Sequence, residues 1–133
     1  MVGGVVVAHE NLAKELLNVA STIVGGTQSV AAVAIGWHED VEEAKQHIRN
    51  AIKKVDTGSG VLMMTDMFGG TPSNLCLSFL QDKSVEVVTG VNLPMLIKFL
   101  GIRDEDTLAD VAQKVKEQGM RSISVAGEVL KGK

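Results

Sequence analysis

The sequence is poor in the residues that build several common kinds of functional site. It has a single cysteine, Cys76, which excludes a disulfide within the chain and a metal site made of several cysteines. Its 3 histidines are dispersed along the chain, an arrangement that is poor for binding a metal ion. We therefore expect no metal and no cofactor.

Aromatic residues and positive charge are also scarce. Aromatics make up 3% of the 133 residues, and 13 lysines and arginines stand against 16 aspartates and glutamates, for a formal net charge of −3. No basic stripe is interleaved with aromatic side chains in a way that would follow a phosphate backbone. The composition predicts that nucleic acid is not a partner.

Long apolar segments are absent as well. No apolar run approaches the roughly 20 residues that cross a bilayer. The N-terminus lacks the charged start and long apolar segment of a secretory signal. We expect a cytoplasmic protein with no direct membrane insertion. A length of 133 residues predicts a single domain, residues 1–133, with one hydrophobic core.

What the sequence does contain is an alternation of strand and helix patterns. Short apolar runs predict four strands, at residues 4–8, 30–35, 61–65 and 85–90. Apolar residues at helical spacing predict helices after each of them, at residues 12–24, 41–55, 72–81, 94–100 and 108–115. Residues 121–127 alternate polar and apolar, which is typical of an edge strand. This order predicts an α/β fold with an open doubly wound sheet, mostly parallel, and helices on both faces.

Two polar residues stand at the ends of buried strands. His9 ends the first strand pattern, and Asp66 follows the third. In open parallel sheets, ligands bind outside the carboxyl ends of the strands, where the strand order reverses. If these two strands are neighbours there, the Asp66 carboxylate can accept a hydrogen bond from one imidazole nitrogen of His9 and leave the other as a nucleophile. The sequence therefore predicts His9 and Asp66 as a catalytic pair.

The loop that follows Asp66 is suited to an anion. Gly69 and Gly70 let backbone N–H groups approach a ligand closely, and the hydroxyls of Thr71 and Ser73 can donate further hydrogen bonds. Thr71 is also a candidate cap for the helix that follows, because proline comes next. Such a loop suits a phosphoryl group on His9, and a sulfate or carboxylate nearly as well.

Each of these features also has a plain structural interpretation. A histidine after a strand is often a turn residue, a strand-terminal aspartate is often a cap, and GGTP alone is a turn and a helix start. Their combination at one sheet edge favours a functional site. A hydrolase triad of Ser73, His9 and Asp66 is a weaker hypothesis, because the chain has no G-x-S-x-G motif. Trp37 follows the second strand at the same edge, and both lining the crevice and packing remain open for it.

Four segments together match one known family: the opening strand that ends in His9, AKELL (13–17), GVLMMTDMFGGTPSN (60–74) and TGVNLPML (89–96). Through them the chain resembles the enzyme IIA component of the mannose-family sugar phosphotransferase system (PTS) over nearly its whole length. Members of that family are phosphotransferases, which carry a phosphoryl group on the histidine after the first strand. They receive it from the phosphocarrier protein HPr and pass it to a IIB component for sugar uptake.

The resemblance implies roles for particular residues of this chain. His9 would carry the phosphoryl group, Asp66 would hydrogen-bond its ring, Thr71 would lie near the phosphoryl oxygens, and Phe68 would stand at the partner-binding rim. It also implies four parallel strands and an antiparallel fifth, exchanged between the subunits of a homodimer. Residues 121–127 would be that strand. The IIB component would then be a separate protein, acting in trans.

The sequence departs from the family pattern at Glu10 and at Asn11, where bulkier residues are common, and it leaves one question of function open. The family usually has a glycine directly after the histidine, where this chain has Glu10. An acidic side chain there would repel a phosphoryl group if it points towards it, and would do no harm at the start of a helix. The alternative function is a regulatory module of the same fold, in which phosphate on His9 switches the affinity for a target.

Overall fold

The computed structural model describes residues 1–132. It contains one sheet with helices on both faces. The strands are β1 (Gly3–His9), β2 (Val30–Ile35), β3 (Val61–Thr65) and β4 (Val85–Thr89). The helices are α1 (Leu12–Val24), α2 (Val41–Val55), α3 (Thr71–Leu77), α4 (Leu93–Ile102), α5 (Leu108–Arg121) and α6 (Ala126–Lys131). No helix in this part of the chain is long and apolar enough to cross a membrane.

The strand order places the first and third strands side by side. The sheet runs β2-β1-β3-β4, and every pairing is parallel. From β1 the chain moves outward to β2 and then returns to the other side of β1 to form β3. The strand order therefore reverses between β1 and β3, and their carboxyl ends meet at this point, as the sequence predicts.

Both central strands are buried on their two faces because they consist almost wholly of small and branched apolar residues. Val6 and Met64 face one core layer, which α1, α4 and α5 cover, and Val7 and Met63 face the other, which α2 and α3 cover. The packing is close enough to require glycine in β1. A Cβ on Gly4 would lie 2.7 Å from Cε2 of Phe99 in α4.

Side-chain caps begin three of the six helices described, α2, α4 and α5. In α2 the Asp40 carboxylate accepts a hydrogen bond from the Glu43 N–H at 3.1 Å. The predicted cap of α3 is wrong. Gly70 occupies the N-cap position without a side-chain bond, Thr71 is the first helical residue, and the helix ends at Leu77 rather than at residue 81.

The prediction of a fifth, antiparallel strand is also wrong for the described residues. Helix α5 continues to Arg121, and a short helix, α6, begins at Ala126. The intervening residues pair with no strand, and the side chains of Ile123 and Val125 are 76% and 64% exposed. An alternating pattern becomes a strand only when a neighbouring strand satisfies its backbone groups. Within residues 1–132 no strand pairs with this segment, and residues 122–125 form a loop between the two helices.

Candidate functional site

His9 and Asp66 are in direct contact at the carboxyl edge of the sheet. Asp66 Oδ2 lies 2.7 Å from Nδ1 of the His9 ring and 3.0 Å from the His9 backbone nitrogen. The side chains are 20% and 12% exposed, respectively, so the pair is partly shielded from water. Since an ionised carboxylate only accepts hydrogen bonds, the ring carries its proton on Nδ1. The lone pair on Nε2 is then available as a nucleophile.

The backbone holds this pair in place from both sides. Val7 of β1 pairs with Thr65 of β3, which brings the two strand ends together. The Asp66 carboxylate bridges them, because Oδ2 accepts from the His9 N–H and Oδ1 accepts from the Met67 N–H at 3.0 Å. The orientation of the carboxylate is therefore set by main-chain groups as well as by the imidazole.

Hydrogen bonds to Asp66 favour the ionised form of its carboxyl group. Burial alone raises the pKa of this carboxyl, but the bonds from the His9 N–H, the His9 ring and the Met67 N–H outweigh burial and hold the pKa below its ordinary value of 3.8. The group is an anion at neutral pH. It can keep the tautomer of His9 and stabilise positive charge that develops on the ring.

Cys76 and Ser73, which lie in α3 below the site, are unsuited to nucleophilic chemistry. Burial, with a smaller contribution from the Asp66 charge, raises the pKa of the Cys76 thiol to about 12, so the thiol stays protonated. Ser73 is fully buried, and its Oγ has no hydrogen-bond partner among residues 1–132. The bond from serine to His9 that a hydrolase triad needs is therefore missing.

The glycine loop lies directly beside the imidazole. A Cβ on Gly70 would stand 3.0 Å from Cε1 and 3.6 Å from Nε2 of His9. Gly69 has φ +89°, a left-handed conformation that favours glycine. Within the described chain the backbone N–H groups of Gly69, Gly70 and Thr71 donate to no acceptor. Of the two predicted hydroxyl residues, Thr71 is exposed and Ser73 is buried.

The structure shows why a glycine is expected directly after His9, where this chain has Glu10. Glu10 has φ +50°, in the left-handed region, while its N–H donates to the carbonyl of Ile35 in β2 at 3.0 Å. This turn is the conformation that glycine adopts without strain, and glycine is the residue that the family resemblance leads one to expect here. The Glu10 side chain is exposed to solvent.

One residue at the site was left undecided by the sequence. The Trp37 ring lies against the His9 ring, with centroids 4.9 Å apart and planes inclined by 31°. The signal was its position, because Trp37 follows β2 at the same edge where His9 ends the adjacent β1. Its side chain remains 71% exposed.

The remaining candidates lie at or outside the rim of the site. Phe68 is 71% exposed and follows Asp66 in the loop. His38 is exposed, and His47 lies in α2, where its Nδ1 is 3.7 Å from the Glu39 carboxylate. Over residues 1–132, no three His, Cys, Asp or Glu side chains are grouped so that they could hold a metal ion.

Comparison with known proteins gives this arrangement a family. Residues 3–116 match the sequence model of the EIIA-man family, described as the PTS system fructose IIA component. The chain belongs to this mannose family of PTS IIA components, which are phosphotransferases of sugar transport.

The relatives are consistent with one another. The chain is 28% identical over 131 residues to the fructose-specific EIIA component of Bacillus subtilis, covering 98% of this chain and 90% of that protein. It is 31% identical over 124 residues to the mannose-specific EIIAB component of Escherichia coli K12, covering 90% of this chain but only 38% of that longer protein.

Solved structures share the fold. A PTS IIA protein associated with the fucose utilization operon of Streptococcus pneumoniae superposes with a TM-score of 0.85 at 28% identity, covering 96% of this chain and 95% of that one. The EIIA component of Streptococcus agalactiae gives a TM-score of 0.87 at 21% identity, with 96% and 99% covered, which shows the fold alone.

Proposed function

We propose that this protein is a phosphocarrier in which His9 accepts a phosphoryl group from HPr and passes it to a IIB component in trans for sugar uptake. The observation that carries the proposal is the 2.7 Å contact between His9 Nδ1 and Asp66 Oδ2. It leaves Nε2 as the free nitrogen on an imidazole that is 20% exposed, accessible to a partner but partly shielded from water.

The transfer step follows from this geometry. The Nε2 lone pair forms a bond to phosphorus while the bond between phosphorus and the donor histidine of HPr breaks, and the electron pair of that bond returns to the donor. The His9 ring gains positive charge as the new bond forms. The Asp66 anion at Nδ1 offsets this charge without moving. Transfer to the IIB component is the same step in reverse, with the acceptor nucleophile attacking phosphorus.

The glycine loop supplies groups for the phosphoryl oxygens. Gly69, Gly70 and Thr71 present backbone N–H groups without an internal acceptor next to the imidazole, and Thr71 adds an exposed hydroxyl. Ser73 follows Thr71 by two residues, which puts its side chain on the opposite side of α3. It is buried, so we assign it to support of the loop rather than to direct contact with the phosphoryl group. Glycine at position 70 leaves room for the His9 ring, because a Cβ there would be in close contact with the ring.

Exposed apolar side chains support the predicted partner surfaces. Met67 and Phe68, which are 55% and 71% exposed, form a rim beside the His9 crevice where HPr and a IIB component would dock. A second apolar patch at the C-terminal end, including Ile123 and Leu130, supports self-association into a homodimer.

The test is phosphorylation by a reconstituted donor chain. Purified protein is mixed with labelled phosphoenolpyruvate, enzyme I and HPr, and we expect it to take up label that is acid-labile and base-stable. The His9→Ala variant should take up none. Matched variants His38→Ala and His47→Ala remove the other two histidines and should keep full labelling. Label that persists in His9→Ala contradicts the proposed site.

Transfer onward is tested with the same labelled protein. It is separated from HPr and incubated with a purified IIB component of the mannose family, and we expect label to leave His9 and appear on that acceptor. Label that reaches His9 but passes to no IIB component would contradict the transport role while leaving the phosphorylation site in place.

A further inference from the structure

We propose that Trp37 is a positioning residue for the phosphoryl chemistry of His9, whose indole covers one face of the imidazole and prolongs the life of the phosphohistidine. This inference rests on the proposed function of His9. Trp37 lies outside all four segments that carry the family resemblance, so no motif assigns it a role.

Core packing does not account for the position of Trp37. It is the single tryptophan of the chain, and its side chain is 71% exposed, so most of its apolar surface gains nothing from burial. Its ring nevertheless lies 4.9 Å from the His9 ring, within the range of a stacking contact. The Trp37 side chain therefore contacts the His9 imidazole while most of its surface is exposed to solvent.

The sheet itself creates this contact. His9 is in register with Ile35 in the parallel pair of β1 and β2, and the Glu10 N–H donates to the Ile35 carbonyl at 3.0 Å. Trp37 comes two residues after Ile35, so it reaches the same edge of the sheet as the imidazole. Backbone pairing therefore places both residues at one edge of the sheet, where their rings can meet.

Three groups together restrain the imidazole. Asp66 binds Nδ1, the tilted indole of Trp37 lies against the ring with its centroid 4.9 Å away, and the backbone of Gly70 lies near Cε1, where an added Cβ would be only 3.0 Å away. Rotation of the ring about its bond to Cβ would break the hydrogen bond and meet the indole or the loop. The combination keeps Nε2 directed at the open side of the crevice.

The electron-rich face of an indole also discriminates between the two states of the ring. The phosphorylated ring carries more positive charge than the free neutral imidazole, and a cation within about 6 Å of an aromatic face is stabilised. In hydrolysis the oxygen of water bonds to phosphorus while the bond from phosphorus to Nε2 breaks. The electron pair returns to Nε2, and inorganic phosphate leaves with the protons of the water shared between it and solvent. The ring loses positive charge in that step, so Trp37 stabilises the state before it more than the state after it.

The first experiment measures the lifetime of the phosphohistidine. Wild type, Trp37→Leu and Trp37→Phe are labelled through enzyme I and HPr, separated from the donors and followed by loss of label. We expect a lifetime about two- to fivefold shorter in Trp37→Leu, and a smaller loss in Trp37→Phe, which keeps an aromatic face. The control Ile23→Ala removes another exposed apolar side chain, in the last turn of α1, and should leave the lifetime unchanged.

The second experiment separates positioning from general stability. In NMR spectra of the unphosphorylated proteins, the His9 ring protons, assigned with His9→Gln, should shift when leucine replaces Trp37 because the ring current of the indole is lost. Trp37 emission should also change when wild type is incubated with phosphoenolpyruvate, enzyme I and HPr. It should not change when His9→Gln is treated in the same way. Unmoved ring protons in Trp37→Leu, or equal lifetimes in wild type and Trp37→Leu, overturn the inference alone. Failure of wild type to take up label overturns the proposed function, and the inference with it.

Discussion

The carboxyl edge of the sheet and the C-terminal segment, residues 120–131, differ in how their conformations are fixed. At the sheet edge, the Asp66 carboxylate accepts hydrogen bonds from His9, 57 positions away in the chain, and from Met67. In the C-terminal segment, Met120, Ile123 and Leu130 are between 64% and 76% exposed, and the hydrogen bonds found there join residues no more than four positions apart. One region is determined by distant partners and the other by its own local sequence.

This difference tells us where substitutions will matter. A polar group held by several partners of fixed position cannot be replaced without leaving some of them unsatisfied. An exposed apolar side chain contributes little to the fold of one chain, and its contribution appears only when another surface covers it. We therefore expect effects on transfer to be concentrated at the sheet edge and effects on self-association at the C-terminal segment.

The largest expected effect is that of Asp66→Asn. The amide keeps the shape but loses the charge, and only one of its two ends accepts hydrogen bonds, so it cannot satisfy both the His9 groups that bond Oδ2 and the Met67 N–H that bonds Oδ1. We expect the rate of phosphoryl transfer to fall about 100-fold or more and the free energy of unfolding to fall by about 1–3 kcal/mol. Asp82→Asn, at an exposed aspartate whose partners are both in Ser84, is the matched control.

The difference in unfolding free energy between wild type and Asp66→Asn should depend on pH, in a direction that the lowered pKa of Asp66 fixes. Because the pKa of Asp66 in the folded state lies below the ordinary value of 3.8, its contribution to stability is present above that pH. It is lost as the pH falls below 3.8 and through the lowered pKa. Denaturant unfolding of wild type and Asp66→Asn should therefore show a gap in unfolding free energy at pH 6 that narrows towards pH 2. A gap that widens on acidification would contradict the charge assigned to Asp66.

A smaller effect is expected for Gly70→Ala. The added Cβ would lie 3.0 Å from His9 Cε1, so the ring or the loop must move by a few tenths of an ångström. We expect transfer from HPr to slow by about tenfold, because the nucleophile is displaced from its line of attack. Gly101→Ala in α4, where an added Cβ meets nothing within 4 Å, should leave the rate unchanged. Equal rates in both variants would show that the loop does not constrain the imidazole.

Glu10→Gly tests the strained turn after His9. Glycine adopts a φ of +50° without strain, but it also raises the conformational entropy of the unfolded chain. We therefore expect the free energy of unfolding to rise by at most about 1 kcal/mol. Removing the negative charge should speed phosphorylation by no more than about fivefold. Glu10→Gln removes the charge and keeps the strain, so it separates the two effects. Glu15→Gly, in the first turn of α1, should instead lower the stability, by about 1 kcal/mol.

The smallest effect on the single chain is expected for the double substitution Ile123→Ser and Val125→Ser. Both side chains are exposed, so the unfolding free energy at low protein concentration should change by no more than about 0.5 kcal/mol. Self-association, measured by analytical ultracentrifugation, should weaken. An unchanged sedimentation profile would show that this patch is not the surface through which two copies meet.

Much of the fold was predictable because the strand patterns are strong. The four parallel strands follow from apolar runs bounded by turns, and the meeting of His9 with Asp66 follows from the rule for strand ends. The segment at 121–127 was not predictable in the same way. An alternating pattern indicates which side chains would share a face of a strand. It does not indicate whether a neighbouring strand is present to pair with that segment.

Two features of the site were also beyond the sequence. The contact of Trp37 with His9 depends on β2 being the neighbour of β1 in a register that pairs His9 with Ile35. The burial of Ser73, two residues from the exposed Thr71, depends on how α3 packs against the sheet. Neither the register nor the rotation of a short helix is written in a local motif.

The sequence by itself determined the four strands, the helices α1, α2, α4 and α5, and the chemical types at the ends of the strands, because the periodicity of apolar residues and the chemistry of each side chain are local properties. The tertiary structure decided which ends meet, which nitrogen of His9 is bound by Asp66 and which surface of Trp37 touches the ring. These are distances between residues far apart in the chain, and only packing of the helices on both faces of the sheet fixes them.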